Sequence, residues 1–221
     1  METPIYFQYG EKELEHLKKR DKRLAEIIAK IGMVNRPIIP DLFAALVNSI
    51  IGQQISTKAH HTVWKRMIDE LGEITPTVID GLSLDELQKF GMTFKKAAYI
   101  KSAAQKTISG EFVITDLHTM SDSEVCSKLS ELEGIGVWTA EMLMIHSMQR
   151  PDILSYGDLA IIRGLRMLYR HKHIDKAKFE RYKKRYSPYA SVASFYLWAV
   201  SAGAIEGMKD YEPKKKTNNG K

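Results

Sequence analysis

Residues Leu132 to Ala140 read LEGIGVWTA. One helical pattern stops at Leu132, glycines stand at 134 and 136, and a new pattern starts at Val137. A tight corner between two helices needs at most one glycine, in a left-handed cap. The second wants its own reason. A helix starting here exposes backbone N–H groups and the positive end of its dipole, which suits an anion. If that anion is a phosphate on a bulky backbone, side chains at the turn would hold it away. Glycines on both sides of Ile135 let it approach, while Ile135 points inward and pins the hairpin.

Outward from this turn the periodicity is helical almost everywhere. Leu14, Leu17, Leu24, Ile27, Ile28 and Ile31 form one stripe from Lys12 to Ile31, closed by Gly32. After the helix-resistant NRPIIP, an apolar stretch runs from Asp41 through Phe43, Leu46, Val47, Ile50 and Ile51, with a tight loop at Gly52, and continues through Val63, Trp64 and Met67. Ser83 with Glu86, and Ser121 with Glu124, have capping-box spacing. Further helices are expected over 95–109, 137–148, 158–169, 175–186 and 189–202, and EFVIT, from Glu111, reads as a short extended piece. The predicted fold is all-α, two helical lobes with a cleft between them. One lobe takes 41–139, with the hairpin over 121–148, and the other takes 1–40 with 140–208. Residues 209–221 read as a disordered basic tail.

Composition narrows the chemistry. The chain has 221 residues with 33 Lys and Arg against 27 Asp and Glu, net +6, which favours a polyanionic partner. The single Cys126 excludes an intramolecular disulfide, a cysteine zinc site and a four-cysteine iron–sulfur cluster. His60 with His61, and His171 with His173, lack a carboxylate or cysteine at metal-ligand spacing, so no metal is expected. No apolar run follows a basic start and none approaches membrane-spanning length. The expectation is an intracellular protein, in the cytoplasm or in a nucleus or nucleoid, without a membrane partner.

LEGIGVWTAEM, followed by ILSYGDLAIIRG from Ile153 and preceded by SIIGQQIS from Ser49, resembles the helix-hairpin-helix, loop and aspartate signature of the HhH-GPD superfamily of DNA glycosylases. Within it the chain looks most like the compact, all-helical AlkA-type 3-methyladenine DNA glycosylases. The resemblance implies a monomeric enzyme of base excision repair that binds double-stranded DNA containing a damaged base, flips the lesion out and hydrolyses its N-glycosidic bond. Alkylated purines, 3-methyladenine and also 7-methylguanine, are the implied substrates. Hypoxanthine or an oxidised purine, or a non-catalytic damage sensor, are the alternatives.

Several residues acquire roles by this match. Asp158, at a helix start, matches the essential aspartate, which stabilises an oxocarbenium-like transition state or orients the attacking water. Gly134, Ile135, Gly136 and Thr139 would grip the DNA backbone. Trp138 and Trp198 would wall the base pocket with Tyr156, Met142 and Leu159, since an electron-rich indole attracts a cationic alkylated base by about 0.5–2 kcal/mol. Leu159 and Met142 stand where relatives often carry aromatics. Gln53 or Gln54 would fill the gap left by the extruded nucleotide. Bifunctional relatives carry a lysine where Trp138 stands, and an indole forms no Schiff base, so water is the implied nucleophile. No cofactor is implied beyond the monovalent cation that hairpins of this family can hold through turn carbonyls.

Overall fold

The computed structural model describes residues 4–212. Among these, twelve α-helices run in chain order: α1 (Glu11–Arg20), α2 (Lys22–Ile31), α3 (Leu42–Gly52), α4 (Thr57–Leu71), α5 (Pro76–Asp80), α6 (Leu84–Lys89), α7 (Phe94–Ser109), α8 (Asp122–Ser130), α9 (Val137–His146), α10 (Leu159–Tyr169), α11 (Lys176–Tyr186) and α12 (Ala190–Ser201). The described residues hold no strand, only an isolated bridge between Tyr6 and Pro37. The all-α expectation stands.

The chain divides into two compact units, 1–7 with 37–149 and 8–36 with 150–221. The boundary predicted inside the hairpin, at 139/140, falls instead after Gln149, because α9 packs on α8 and α3 rather than on the C-terminal helices. The first unit is centred on α3. Leu42, Phe43, Ala45, Leu46, Val47, Ile50 and Ile51 are all buried there, where α4, α7 and α9 meet it. Full burial of each large aliphatic side chain stabilises the unit by roughly 1.5–3 kcal/mol. Both predicted capping boxes form, Ser83 with Glu86 at α6 and Ser121 with Glu124 at α8. Of EFVIT, expected as an extended piece, 111–113 is irregular and forms no strand, and Ile114 and Thr115 open a 3-10 turn over Ile114–His118.

The second unit is built around α12, whose Phe195, Tyr196, Leu197 and Val200 are buried and which contacts α1, α2, α10 and α11. The single helix expected from Lys12 to Ile31 is broken at Asp21. This residue leaves helical geometry, caps α2 by accepting from Leu24 N at 3.0 Å, and takes Arg185 at 2.6 Å through its other oxygen. Burying that carboxylate requires such partners, so the local apolar stripe yields to a tertiary ion pair. Of the predicted tail, Asp210 is bound by Arg166 through both oxygens, at 2.8 and 2.7 Å, so 209–212 is anchored. The rest, 213–221, lies outside the described residues.

Candidate active site

The two glycines have different reasons. Gly134 adopts φ +83°, and a Cβ there would stand 2.4 Å from Cδ2 of the Tyr99 ring. Backbone conformation and close packing both demand glycine at this position. Gly136 has φ −90° and ψ 173°, open to any residue, and a Cβ there would meet nothing within 4 Å. No internal contact explains it. It is also the N-cap of α9 and has no side chain to offer, whereas nine of the described helices are capped by an Asp, Ser or Thr side chain. The first turn of α9 thus has a helix dipole and no capping side chain of its own.

Ile135 is buried as expected, and its N–H donates to the Leu132 carbonyl at 3.0 Å. Thr139, predicted as a backbone contact, is buried in α9. It lies on the side of α9 that also buries Leu143. Trp138 is 47% exposed, and Met142, half-buried, lies one turn further along the same helix.

The GQQIS loop is held against this turn. Gln53 Nε2 donates to the Gly134 carbonyl at 2.8 Å. Lys96 Nζ donates to the carbonyls of Ile51 at 2.8 Å and Gln53 at 2.6 Å, closing the C-terminus of α3, and partial burial lowers the ammonium pKa below its ordinary value. The His60 ring packs over Gly52 and bonds the Asn48 carbonyl at 3.0 Å, so this histidine braces the loop. Gln54 is left exposed at φ +55°, a left-handed conformation that a tight tertiary context must hold. Exposed apolar side chains collect on the elements that meet here: Ile55, Phe94, Val137 and Trp138. An exposed apolar group of this kind marks a binding surface.

In the other unit, Asp158 is the N-cap of α10. Its Oδ1 accepts from Ala160 N and Ile161 N, both at 2.9 Å. Asp158 as a residue is only 7% exposed, whereas its neighbours Leu159 and Tyr156 are 84% and 43% exposed. Tyr156 rests edge-on against Phe179 with ring centroids 5.1 Å apart. The loop that presents Asp158 is laced to α12. Ser191 Oγ accepts from Ile153 N at 2.9 Å and donates to the Arg150 carbonyl at 2.6 Å, and Ser194 Oγ donates to the Ile153 carbonyl at 3.3 Å. Asp152 has a structural role: it accepts from Ser187 Oγ at 2.6 Å and Ala190 N at 3.2 Å, capping α12.

Trp198 lies on α12 and is half-buried. The guanidinium of Arg36 stands 5.4 Å from its ring centroid and 6.0 Å from that of Phe195, which itself stacks on Trp198. The indole reserved for a cationic base is therefore already engaged by an internal cation. Burial lowers the Arg36 pKa, and its Nε is buried without a hydrogen-bond partner among the described residues. Nothing in the local sequence pointed to Arg36 beside Trp198, or to Tyr99 and Lys96 at the hairpin and the GQQIS loop.

Among the described residues no group of three or more His, Cys, Asp or Glu could hold a metal. His171 bonds the Tyr182 hydroxyl at 2.7 Å instead. The Leu132 and Gly134 carbonyls of the hairpin accept hydrogen bonds from Ile135 N and Gln53 Nε2. No described helix is long and apolar enough to cross a membrane.

Residues 47–188 match the HhH-GPD superfamily of base excision DNA repair proteins. The DNA-3-methyladenine glycosylase 1 of Schizosaccharomyces pombe is 29% identical over 207 residues, covering 91% of this chain and 90% of that protein. Two relatives from Bacillus subtilis are longer, and the chain spans 60% and 58% of them. Among solved structures, a DNA-3-methyladenine glycosidase from Bacillus halodurans is similar with a TM-score of 0.81 at 33% identity, covering 94% of this chain and 97% of that one. The S. pombe 3-methyladenine DNA glycosylase in complex with abasic DNA gives 0.75 at 28% identity, covering 87% and 97%.

Proposed function

Because the chain belongs to the HhH-GPD superfamily of base excision DNA repair proteins, we propose that it is a monofunctional glycosylase, hydrolysing the N-glycosidic bond of alkylated purines in duplex DNA. 3-Methyladenine is the principal substrate and 7-methylguanine a further one. The observation that carries this reading is Asp158, a low-exposure carboxylate whose Oδ1 is fixed by two backbone N–H groups at a helix start. As the glycosidic bond lengthens, positive charge builds on the deoxyribose. A fixed anion shielded from water stabilises that charge without reorganising. An alkylated purine is cationic and leaves readily, so the site needs no strong general acid. Trp138 in the hairpin cannot form an imine with the sugar, and water completes the reaction. The protein acts as one copy inside the cell, wherever its DNA lies.

The test is to incubate the protein with duplex DNA carrying 3-methyladenine and to follow both the base and the strand. Free base and an unbroken abasic strand are expected, with nothing trapped on the protein by borohydride. Strand cleavage with a trapped adduct, or no base release, would overturn the reading. The Arg36–Trp198 stack favours a second reading, a neutral lesion such as hypoxanthine, because a resident cation beside the indole repels a charged base. Faster release of hypoxanthine than of 3-methyladenine would select it.

Gly136 is assigned to close approach of a DNA phosphate. Gly136→Ala is expected to change folding stability by less than about 1 kcal/mol, yet to weaken duplex binding about 10- to 100-fold by displacing charge-assisted bonds to backbone N–H groups. Gly134→Ala should do the reverse, destabilising the fold by about 1–3 kcal/mol through Tyr99 and the left-handed backbone. Thermal melts and binding isotherms separate the two. Wild-type affinity in Gly136→Ala would remove the phosphate assignment.

Gln54 is assigned as the side chain that enters the duplex, because Gln53 is engaged with the Gly134 carbonyl. Filling the gap offsets part of an extrusion penalty of a few kcal/mol. Gln54→Ala should slow excision from a paired lesion about 10-fold, with little effect on a lesion in single-stranded DNA. An equal effect on both substrates would contradict the assignment.

A further inference from the structure

The charge of this protein is unevenly divided. The unit of 1–7 and 37–149, which carries the hairpin, has 9 Lys and Arg against 15 Asp and Glu, a net −6. The unit of 8–36 and 150–221 has 24 against 12, a net +12, of which four lysines lie in 213–221, outside the described residues. A unit of net −6 repels a polyanion at long range, so its hairpin can position a phosphate but contributes little long-range attraction.

The excess cations gather on α1, the start of α2, and α11. Arg20, Lys183 and Lys184 line one open cleft of about 440 Å³, which Glu180, Asp152 and Ser187 share. Asp152 is engaged with Ser187 and the N-terminus of α12, leaving Glu180 as the exposed acid. Around the cleft, Lys19, Lys22 and Arg181 are exposed. Arg185 is neutralised by the buried Asp21. None of the other six cations has a carboxylate within ion-pair distance among the described residues. The inner face of α11, Phe179, Tyr182 and Tyr186, is buried, so its basic residues line the solvent side. The Arg23 end of this face lies at the far end of α10 from Asp158, whereas Phe179 of α11 packs on Tyr156 near it. Tyr169, the last residue of α10, stacks on Tyr182 and lies beneath Arg23, eleven residue steps from Asp158 or about 16 Å along the axis.

We infer that this α1/α11 face is a second contact for the phosphodiester backbone of nucleic acid. It is independent of the lesion and supplies most of the salt-dependent affinity, while the hairpin sets register. Lysine and arginine side chains along an open surface cleft suit a polyphosphate. A bilayer would also need an apolar group to insert. Among the described residues no large hydrophobic side chain of α1, α2 or α11 is exposed.

The test compares two charge-matched triple variants. One is Arg20→Ala, Lys183→Ala, Lys184→Ala; the other is Lys65→Ala, Lys106→Ala, Lys128→Ala, three surface lysines of the acidic unit, each paired with a carboxylate. Binding to a short undamaged duplex is measured over a range of sodium chloride concentrations. Each lost phosphate contact flattens the log–log slope by about 0.9. The first triple is expected to lower the slope by about 2–3 and the second by less than about 1. Equal losses would mean that only net charge matters, and an unchanged slope in the first triple would mean no contact; either overturns the inference. So would loss of binding to anionic vesicles with DNA binding intact. All these side chains are exposed or half-buried at the surface, and matching thermal melts of both triples check that the fold is kept. Base release at saturating lesion duplex should stay at the wild-type rate. The binding slopes read out even if the protein excises no base, so the two readings fail separately.

Discussion

Asp158→Asn is expected to abolish most base release, by a factor on the order of 10³, while leaving the fold and duplex binding nearly intact. The asparagine side-chain oxygen can accept from Ala160 N and Ile161 N as Oδ1 does, so α10 keeps its cap and folding stability moves by well under 1 kcal/mol. Only the negative charge is lost. Asp158→Ala removes charge and cap together and should destabilise the protein by about 1 kcal/mol in addition. Single-turnover release of methylated base, read beside thermal melts of both variants, separates the roles. Undiminished release by the asparagine variant would leave Asp158 as a helix cap and nothing more.

Gly164→Ala should have the largest effect on the fold. A Cβ at this position would stand 2.4 Å from the Leu197 carbonyl oxygen and 3.0 Å from its carbon, and backbone atoms cannot rotate away. The helices α10 and α12 must part, with a loss of about 1–3 kcal/mol or more. For a chain of this size that lowers the melting temperature by several degrees, at about 2–4 °C per kcal/mol. The lesion chemistry should suffer too, since α10 begins at Asp158 and Trp198 follows Leu197 directly. A melt and an excision rate both equal to wild type would mean that the two helices do not cross so closely.

Much of the fold was legible because the controlling signals are local. Helical periodicity, the capping boxes at Ser83 and Ser121, and the left-handed Gly110 closing α7 all depend on neighbours within a few residues. The misreadings came where distant residues decide. Asp21 breaks a continuous apolar stripe because Arg185, 164 positions away, supplies the partner for its buried carboxylate. The lobe boundary moved because α9 stays with α8 and α3.

The site divides in the same way. Asp158 and the hairpin stand in contiguous motifs and could be read. The reasons behind them could not: Tyr99 behind Gly134, Lys96 beneath the GQQIS loop, Arg36 over Trp198. Those contacts also narrow what the motifs left open. Of two adjacent glutamines, one is engaged, and of two glycines, one is required by packing. The division of charge between the units, by contrast, lies in the sequence but becomes visible only once the unit boundaries are known.

The most direct test of the central claim needs no turnover. Duplex DNA in which the lesion nucleotide is replaced by a cationic pyrrolidine abasic analogue imitates the sugar cation, and the neutral tetrahydrofuran analogue serves as its reference. The wild-type protein is predicted to bind the cationic analogue at least about 10²-fold more tightly than the neutral one, and Asp158→Asn to lose that preference. Equal affinity of the wild-type protein for the two duplexes would contradict an anion at position 158 stabilising the transition state.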